Sequence, residues 1–333
     1  MRTPLLLLVA ALSAAAQPKK LVNAQLDTRS AQSGLESVFR TLTTAQPQPA
    51  WIAYTVPAAR GRYFGCDSYW RDGEFIVAGG TVHLEPPGEV MVLYRADAGQ
   101  VGRIRTLAPD CDIDAGGVPV HWLTDVRPAD SVALLTRLAA GPDRSSDSAI
   151  NAIGMHAGAA ADAALEQFVA FSQPEAVRQK AVQWLGLAGN PRRFEALKKV
   201  LASDPSDRVR ERAVQSLAQR KEAEAVDLVI VTARNDRSPK VRGQALYTLS
   251  RQAGKQSVKT IQEAIESDSD REVKRRAVSA LQHLPDGEGI PLLIGLAKTS
   301  RNAEVRKQAM SSLAQSRDSR AIAFFEDVLK ARP

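Results

Sequence analysis

Three carboxylates alternate around Cys111: Asp110, Asp112 and Asp114 lead into Gly116-Gly117. Alternating acids ahead of a glycine turn are calcium-loop chemistry. A twelve-residue calcium loop places its glycine directly after the third acid and a bidentate glutamate at its last position. Those places hold Ala115 and His121 here, so the segment reads as a glycine-rich turn with solvated acids. The four histidines, His83, His121, His156 and His283, are scattered, and each reads as structural. No G-x-S-x-G elbow, G-x-x-x-x-G-K-[ST] phosphate loop, H-E-x-x-H or C-x-x-C occurs in the sequence. The carboxylate pair Asp268/Asp270 falls in a loop that the scaffold below accounts for. The residues thus specify no catalytic group, no metal ligand set and no cofactor.

What does recur is an acid and a cation at a fixed distance. Val-Arg, once Val-Lys, stands at Val177, Val209, Val241, Val273 and Val305, always 32 residues apart. Asp204, Asp236 and Asp268 each precede a repeat valine by five residues, and Arg178, Arg210, Arg242, Lys274 and Arg306 each follow one directly. An acidic loop ahead of a helix suits the free N–H groups and dipole at its start. The plain reading is a structural ladder between neighbouring units, with ligand binding as the alternative.

The elements that carry this ladder follow from the same register. Four residues after each valine comes an alanine (Ala181, Ala213, Ala245, Ala277, Ala309), and eight after it a leucine (Leu185, Leu217, Leu249, Leu281, Leu313). That is one helix face with a small residue in its middle, where another helix can approach. After a turn a second stripe follows, such as Phe194/Leu197/Leu201, Ile290/Leu293/Ala297 and Ile322/Phe325/Leu329. Each unit is a helical hairpin, A then B. A period of this length marks a solenoid, because one hairpin cannot bury its apolar face alone.

The Asp, Val-Arg, Ala and Leu spacing resembles the HEAT repeat, in particular its short-repeat branch first noted in phycobilin lyases. The resemblance runs from about residue 145 to 333. It implies an all-α solenoid whose B helices line a concave face and offer a surface to partners, and it carries over no catalytic residue. Stepping back from Val177 by one period, Ala149, Ile153, Leu165 and Val169 occupy the apolar places of a degenerate capping repeat. The alanine-rich stretch from Ala157 to Ala164 reads as flexible.

At the other end, Arg2, the apolar run from Leu5 to Ala11 and the small residues Ala14 and Ala16 are placed as a secretory leader cleaved before Gln17. The run is too short for a permanent membrane helix. Residues 17 to about 30 read as polar and frayed, and Ser33 with Glu36 as the cap of a short helix. Apolar runs of strand length follow at Trp51–Val56, Phe75–Ala78, Thr81–Leu84, Val90–Tyr94, Val101–Leu107 and Val118–Trp122. Gly79-Gly80, Pro86-Pro87-Gly88 and Ala98-Gly99 separate several of them as turns. Three of the four tryptophans and four of the five tyrosines lie in this part, as an aromatic core or as an exposed stacking surface. The only two cysteines, Cys66 and Cys111, also lie here, and an even count in an exported chain favours a disulfide.

The fold class is therefore α+β multidomain: a small, mainly antiparallel β-module followed by an all-α HEAT-like solenoid of helical hairpins. The expected division is a leader over 1–16, a polar segment with a short helix over 17–48, and the β-module over 49–127. A capping repeat over 128–172 and five repeats over 173–333 complete it. From Gln173 onward the chain carries 30 basic and 20 acidic residues, against 14 and 17 before it. In an exported protein such a balance points to an anionic protein, a polysaccharide or a membrane surface, and not to nucleic acid. Lys199, Arg234, Lys298 and Lys330 form a basic track on the B helices, broken by Glu263 and Glu266. Phe324 is expected to stand exposed at the last hairpin as a docking edge. The resulting expectation is an exported, non-catalytic scaffold or adaptor that binds a protein partner, anionic in character, with no cofactor. The alternatives are an enzyme whose site the sequence does not advertise, or a structural envelope subunit.

Overall fold

The computed structural model describes residues 20–44, 48–59, 66, 68–71, 74–77, 88–141, 145–186, 190–220, 222–252 and 255–330. The expected leader, the strand over Thr81–Leu84 and His83 lie outside the described residues. The chain forms two compact units, Met1–Leu165 and Glu166–Pro333.

In the first unit the elements run β1 (Lys20–Val22), β2 (Leu26–Ser30), α1 (Leu35–Thr44), β3 (Ala50–Pro57), β4 (Ser68–Arg71), β5 (Glu74–Val77), β6 (Glu89–Asp97), β7 (Gln100–Leu107), β8 (Asp112–Asp114) and β9 (Val120–Thr124), then α2 (Pro128–Ala139) and α3 (Ser146–Met155). A five-stranded sheet has the order β2-β9-β3-β6-β7. Its centre is antiparallel, as the alternating runs predict: β3, β6 and β7 form a meander. The β6–β7 turn is Ala98-Gly99, both at positive φ, the backbone that a two-residue hairpin needs to match strand twist.

Two features differ from the expectation. The segment expected to be frayed is paired, β1 in parallel with β8 and β2 in parallel with β9. Its polar side chains stay largely solvated while its backbone groups are satisfied in the ladder, a pattern without the apolar alternation that marks a half-buried strand. In addition, β9 joins β3 in parallel, so the sheet is mixed. The short helix α1 is present, but its Glu36 carboxylate meets Arg40 and Arg137.

One face of the sheet, with Ile52, Tyr54, Val92 and Tyr94, is buried beneath the helices. Phe39 of α1 stacks edge-on against Tyr94 at 5.0 Å. Tyr54, Tyr94 and Trp122 are fully buried and belong to the core, while Trp51 is partly buried. Under the helices runs a hydrogen-bonded chain. His156 Nδ1 lies 2.7 Å from the Ala152 carbonyl, which can only accept, so Nδ1 carries a proton, and in the neutral imidazole Nε2 accepts from the Ser131 hydroxyl at 2.7 Å. Ser131 has then spent its proton, and Tyr54 must donate to it at 2.8 Å while Tyr94 donates to Tyr54 at 2.5 Å. Burial pushes both tyrosine hydroxyls up, so they remain protonated donors. The chain ties β3 and β6 to α2 and to the end of α3. Cys66 and Cys111 are bonded to one another with their Cα atoms 5.1 Å apart. Closing this loop of 45 residues stabilises by about 4 kcal/mol in the chain-entropy account.

Helix α4 (Ala159–Phe168) crosses the division between the units. The stretch expected to be flexible is therefore helical after Gly158, whose φ of 98° turns the chain into it. The second unit then contains α5 (Glu175–Leu185), α6 (Pro191–Ser203), α7 (Asp207–Leu217), α8 (Ala223–Asn235), α9 (Pro239–Arg251), α10 (Lys255–Ser267), α11 (Arg271–Leu281), α12 (Gly289–Thr299), α13 (Ala303–Ala314) and α14 (Ser319–Lys330). The odd-numbered helices are the A helices and the even-numbered ones the B helices. A packs on A along α5, α7, α9, α11 and α13, and B on B at α8–α10 and α12–α14. All five repeat alanines and all five repeat leucines are buried, which is how each hairpin covers the face its neighbour leaves open.

Candidate functional site

The acid–cation register builds three full rungs. Arg178 Nε and Nη2 fork onto Asp204 at 2.9 and 3.1 Å, and Arg210 grips Asp236 and Arg242 grips Asp268 in the same way. Each guanidinium also reaches back with Nη1 to a carbonyl in the loop before its own helix: Gln173, Asp204 and Asp236 respectively. One planar cation thus joins two successive loops, a geometry that the fork of arginine allows and the single ammonium of lysine does not. Each aspartate further accepts the N–H two residues on, from Ser206, Ser238 and Asp270. At the fourth position the chain has Ser300 where an aspartate would stand, and Lys274 turns to the Glu266 carbonyl instead. Arg306 makes the backward bond, to the Ser300 carbonyl; the place 26 residues on lies outside the described residues.

The sequence pattern also held a signal that the valine register passed over. Ser206, Ser238, Asp270 and Asn302 share one place in the period, at the N-caps of α7, α9, α11 and α13. The side chains of Ser206, Asp270 and Asn302 accept helix N–H groups there, satisfying donors that the first turn leaves open.

These ion pairs set an acid limit. Burial pushes the Asp268 carboxyl up, but Arg242, the Asp270 N–H and Lys274 together outweigh it and hold it below the usual carboxylate range. Hydrogen bonds from Arg275 and Arg276 hold Glu272 at about 2, against an ordinary 4.5. For groups depressed in the folded state, the stabilisation is complete above the unfolded pKa and is lost as pH falls through the folded one. Melting temperature is therefore expected to hold down to about pH 5 and to fall steeply between about pH 4 and 2. A melting temperature that rises on acidification in that window contradicts this account.

The basic track is divided by the structure. Arg234 is paired with Glu263 at 2.8 Å and Lys330 lies 4.0 Å from Glu326. Lys298 holds its ammonium over the Phe324 ring at 5.6 Å. Lys199 lines a groove of about 400 Å³ between α4 and α6, together with Phe171, Arg192 and Glu195. A second groove, of about 600 Å³, lies between α8 and α10 and is lined by Arg234, Thr260 and Glu263.

Phe324 is not the exposed edge it was expected to be. It is 5% exposed, packed beside Phe325 and beneath Lys298. The buried line of α14 runs through Ala321 and Phe324, whereas Ile322 and Leu329, assigned to the core by their spacing, are 54% and 69% exposed. On α14 the buried line is the one turned toward α12. Two large apolar side chains that the sequence reading passed over stand out of the B side: Phe171 after α4 is 59% exposed and Val231 on α8 is 53% exposed. Val231 had a local signal, since it sits three residues before Arg234 on the solvated side of its stripe.

Elsewhere the described residues singled out for chemistry have partners within the fold. His121 is buried against Asp27 at 3.0 Å, His156 belongs to the chain under the sheet, and His283 meets the Tyr247 ring at 5.3 Å. Asp114 accepts from Asn23 and the Gly116 N–H, and Asp112 lies 3.9 Å from Lys20. Cys66, Asp110 and Cys111 converge, but both sulfurs are taken by the disulfide. No described helix is long and apolar enough to cross a membrane.

No curated protein matches the sequence. Among solved structures, the complex of CpcE and CpcF of phycocyanin lyase from Nostoc sp. PCC7120 aligns over 45% of this chain and 97% of that one, with 17% identity and a TM-score of 0.36. The condensin Cnd3–Cnd2 subcomplex of S. pombe aligns over 56% of this chain and 28% of that one, at 16% identity and a TM-score of 0.36. Human deoxyhypusine hydroxylase in complex with glycerol aligns over 61% and 96%, at 15% identity and a TM-score of 0.24. The family profile of HEAT repeats matches residues 131–218, 162–250, 194–282 and 258–333. Those matches together run without a gap from 131 to the end of the chain, through the hairpins and rungs described above, and the chain belongs to the HEAT-repeat family.

Proposed function

We propose that this protein is an exported, non-catalytic scaffold that binds a protein partner along the outward side of its B helices. The observation that carries the reading is the pair Phe171 and Val231, large apolar side chains left in solvent beside Lys199 and Arg234. Aromatic and branched anchors next to cations are what a protein partner desolvates in an interface core. With Arg234 already matched by Glu263, the cations that remain to meet a partner's carboxylates are Lys199 and Lys298. Export is supported by the leader pattern over residues 1–16 and by a disulfide that persists in oxidising compartments.

Phe171→Asp combined with Val231→Asp tests the surface. Both positions are exposed, so the melting temperature is expected to stay within about 2 °C of the parent, while the partner recovered by cross-linking from the source envelope fraction is lost. Undiminished recovery with the double variant would remove this surface from the account. N-terminal sequencing of the protein recovered from that fraction tests export, with Gln17 expected as the first residue.

A further inference from the structure

We propose that the β-unit binds a tetrahedral, doubly charged oxyanion, phosphate or a phosphate monoester, between Arg95 of β6 and Arg103 of β7. The strand register sets these two side by side. Arg95 is the direct cross-strand partner of both Arg103 and Trp51, and such partners share one face of a sheet with Cβ atoms about 4.5–5.5 Å apart. That face is the one opposite Ile52, Tyr54, Val92 and Tyr94, so the helices do not cover it. Arg105, two residues beyond Arg103, brings a third cation to the same face, and both are exposed.

Like charges directly opposite one another destabilise a sheet, and this pair has no acid to offset it. Arg29, Arg40, Arg127 and Arg137 of the same unit each meet a carboxylate. Neither Arg95 nor Arg103 forms an ion pair or hydrogen bond among the described residues. Asp97 lies past a bulge that sets it against Gln100. Arg95 is held by an indole instead, its guanidinium carbon 5.8 Å from the centre of the Trp51 ring. That contact fixes the plane of the fork and leaves its charge unmatched. Of its nitrogens Nη1 is closed off from solvent, and Nε and Nη2 form the edge open to a ligand. The bulge falls at the pair itself. Arg95 is set against Arg103 and Ala96 against Val101, so Gly102 is the extra residue of β7, and a Cβ there would meet nothing within 4 Å. A bulge re-aims the side chains beside it, and here it leaves open space next to Arg103. Each guanidinium edge matches two oxygens. A carboxylate fills one edge and neutralises one charge, whereas a tetrahedral oxyanion has oxygens for both and, as phosphate near neutral pH, a charge of about −2.

Inorganic phosphate is the first probe. In the full chain labelled with nitrogen-15, with the Trp51 indole resonance assigned by its disappearance in Trp51→Phe, phosphate is expected to shift that resonance saturably, with a Kd of about 1 mM or tighter. Sulfate, which shares the shape and charge, should displace it, and acetate at the same concentration should not. Arg103→Gln should weaken phosphate at least about tenfold, the effect of one charge-assisted contact. In phosphate-free buffer the same variant should melt no lower than the parent, since it also removes a like-charge pair. Arg103→Lys, which keeps the charge and loses the fork, should bind with intermediate affinity. Arg40→Gln, on α1 under the other face, should leave the affinity unchanged. Phenyl phosphate separates the sources: tighter binding than inorganic phosphate assigns an ester as the natural form, and otherwise the free ion is assigned. The proposal is overturned if the Trp51 resonance does not move up to about 10 mM phosphate. It is equally overturned if Arg103→Gln binds phosphate as the parent does or melts below it without phosphate, or if acetate competes as well as sulfate.

Discussion

Asp204→Ala is expected to cost the helical unit about 3–5 kcal/mol, the range for breaking a buried ion pair from one side. Asp204 is fully buried, takes both arms of Arg178, and caps the Ser206 N–H, so its removal strands a guanidinium and a backbone donor together. Arg242→Ala acts on a more exposed rung and should cost less. In both variants partner binding by the fraction that remains folded is expected to persist, because the rungs join loops and the B-side surface is untouched. Chemical denaturation followed by helix circular dichroism decides the matter. A loss below about 1 kcal/mol for Asp204→Ala, or lost binding with unchanged stability, would move the rungs from frame to site.

The second large effect is expected at Gly289→Ala. A Cβ at Gly289 would fall inside contact distance of the carbonyl oxygen and carbon of Leu281. Those are backbone atoms at the end of α11 and cannot swing aside, so α12 must back away from the core. Overpacking of this kind costs about 3 kcal/mol. Gly243→Ala is the control. Its nearest obstacle is the Arg276 side chain, which can rotate, and alanine in a helix interior is favoured over glycine by about 0.5–1 kcal/mol. The pair should therefore separate in opposite directions in one denaturation series; equal losses at the two positions would contradict the close approach of α12 to α11.

The solenoid was legible because its information is periodic. Every apolar place recurs at the same offset from Val177 to Val305, so each repeat corroborates the others, and the recurring Asp and Arg could be read as a ladder; that each Arg grips the Asp 26 residues further on is seen only in the structure. The features that stayed hidden are not periodic. The pairing of β1 and β2 rests on backbone groups of polar segments, which carry no alternation. The Tyr94–Tyr54–Ser131–His156 chain joins residues 40 and 77 positions apart across β3 and α2, and nothing in the local sequence of any of them announces the others. Phe324 was misplaced for a packing reason. A stripe of three apolar residues on a helix fits either of two adjacent lines, and the helix turned toward α12 selects the line through Ala321 and Phe324. The exposed Phe171 and Val231 belong to the same class, since exposure depends on what a neighbouring hairpin covers.

Photo-cross-linking from single positions tests the central claim most directly. A benzoylphenylalanine placed at Val231 on the B side, and separately at the exposed Gln215 on helix α7, reports which side of the solenoid a partner touches in the source envelope. The account predicts one discrete protein adduct from position 231, lost when Phe171→Asp is added, and none from position 215. Adducts of equal yield from both positions, or from position 215 alone, would contradict a partner surface on the B helices.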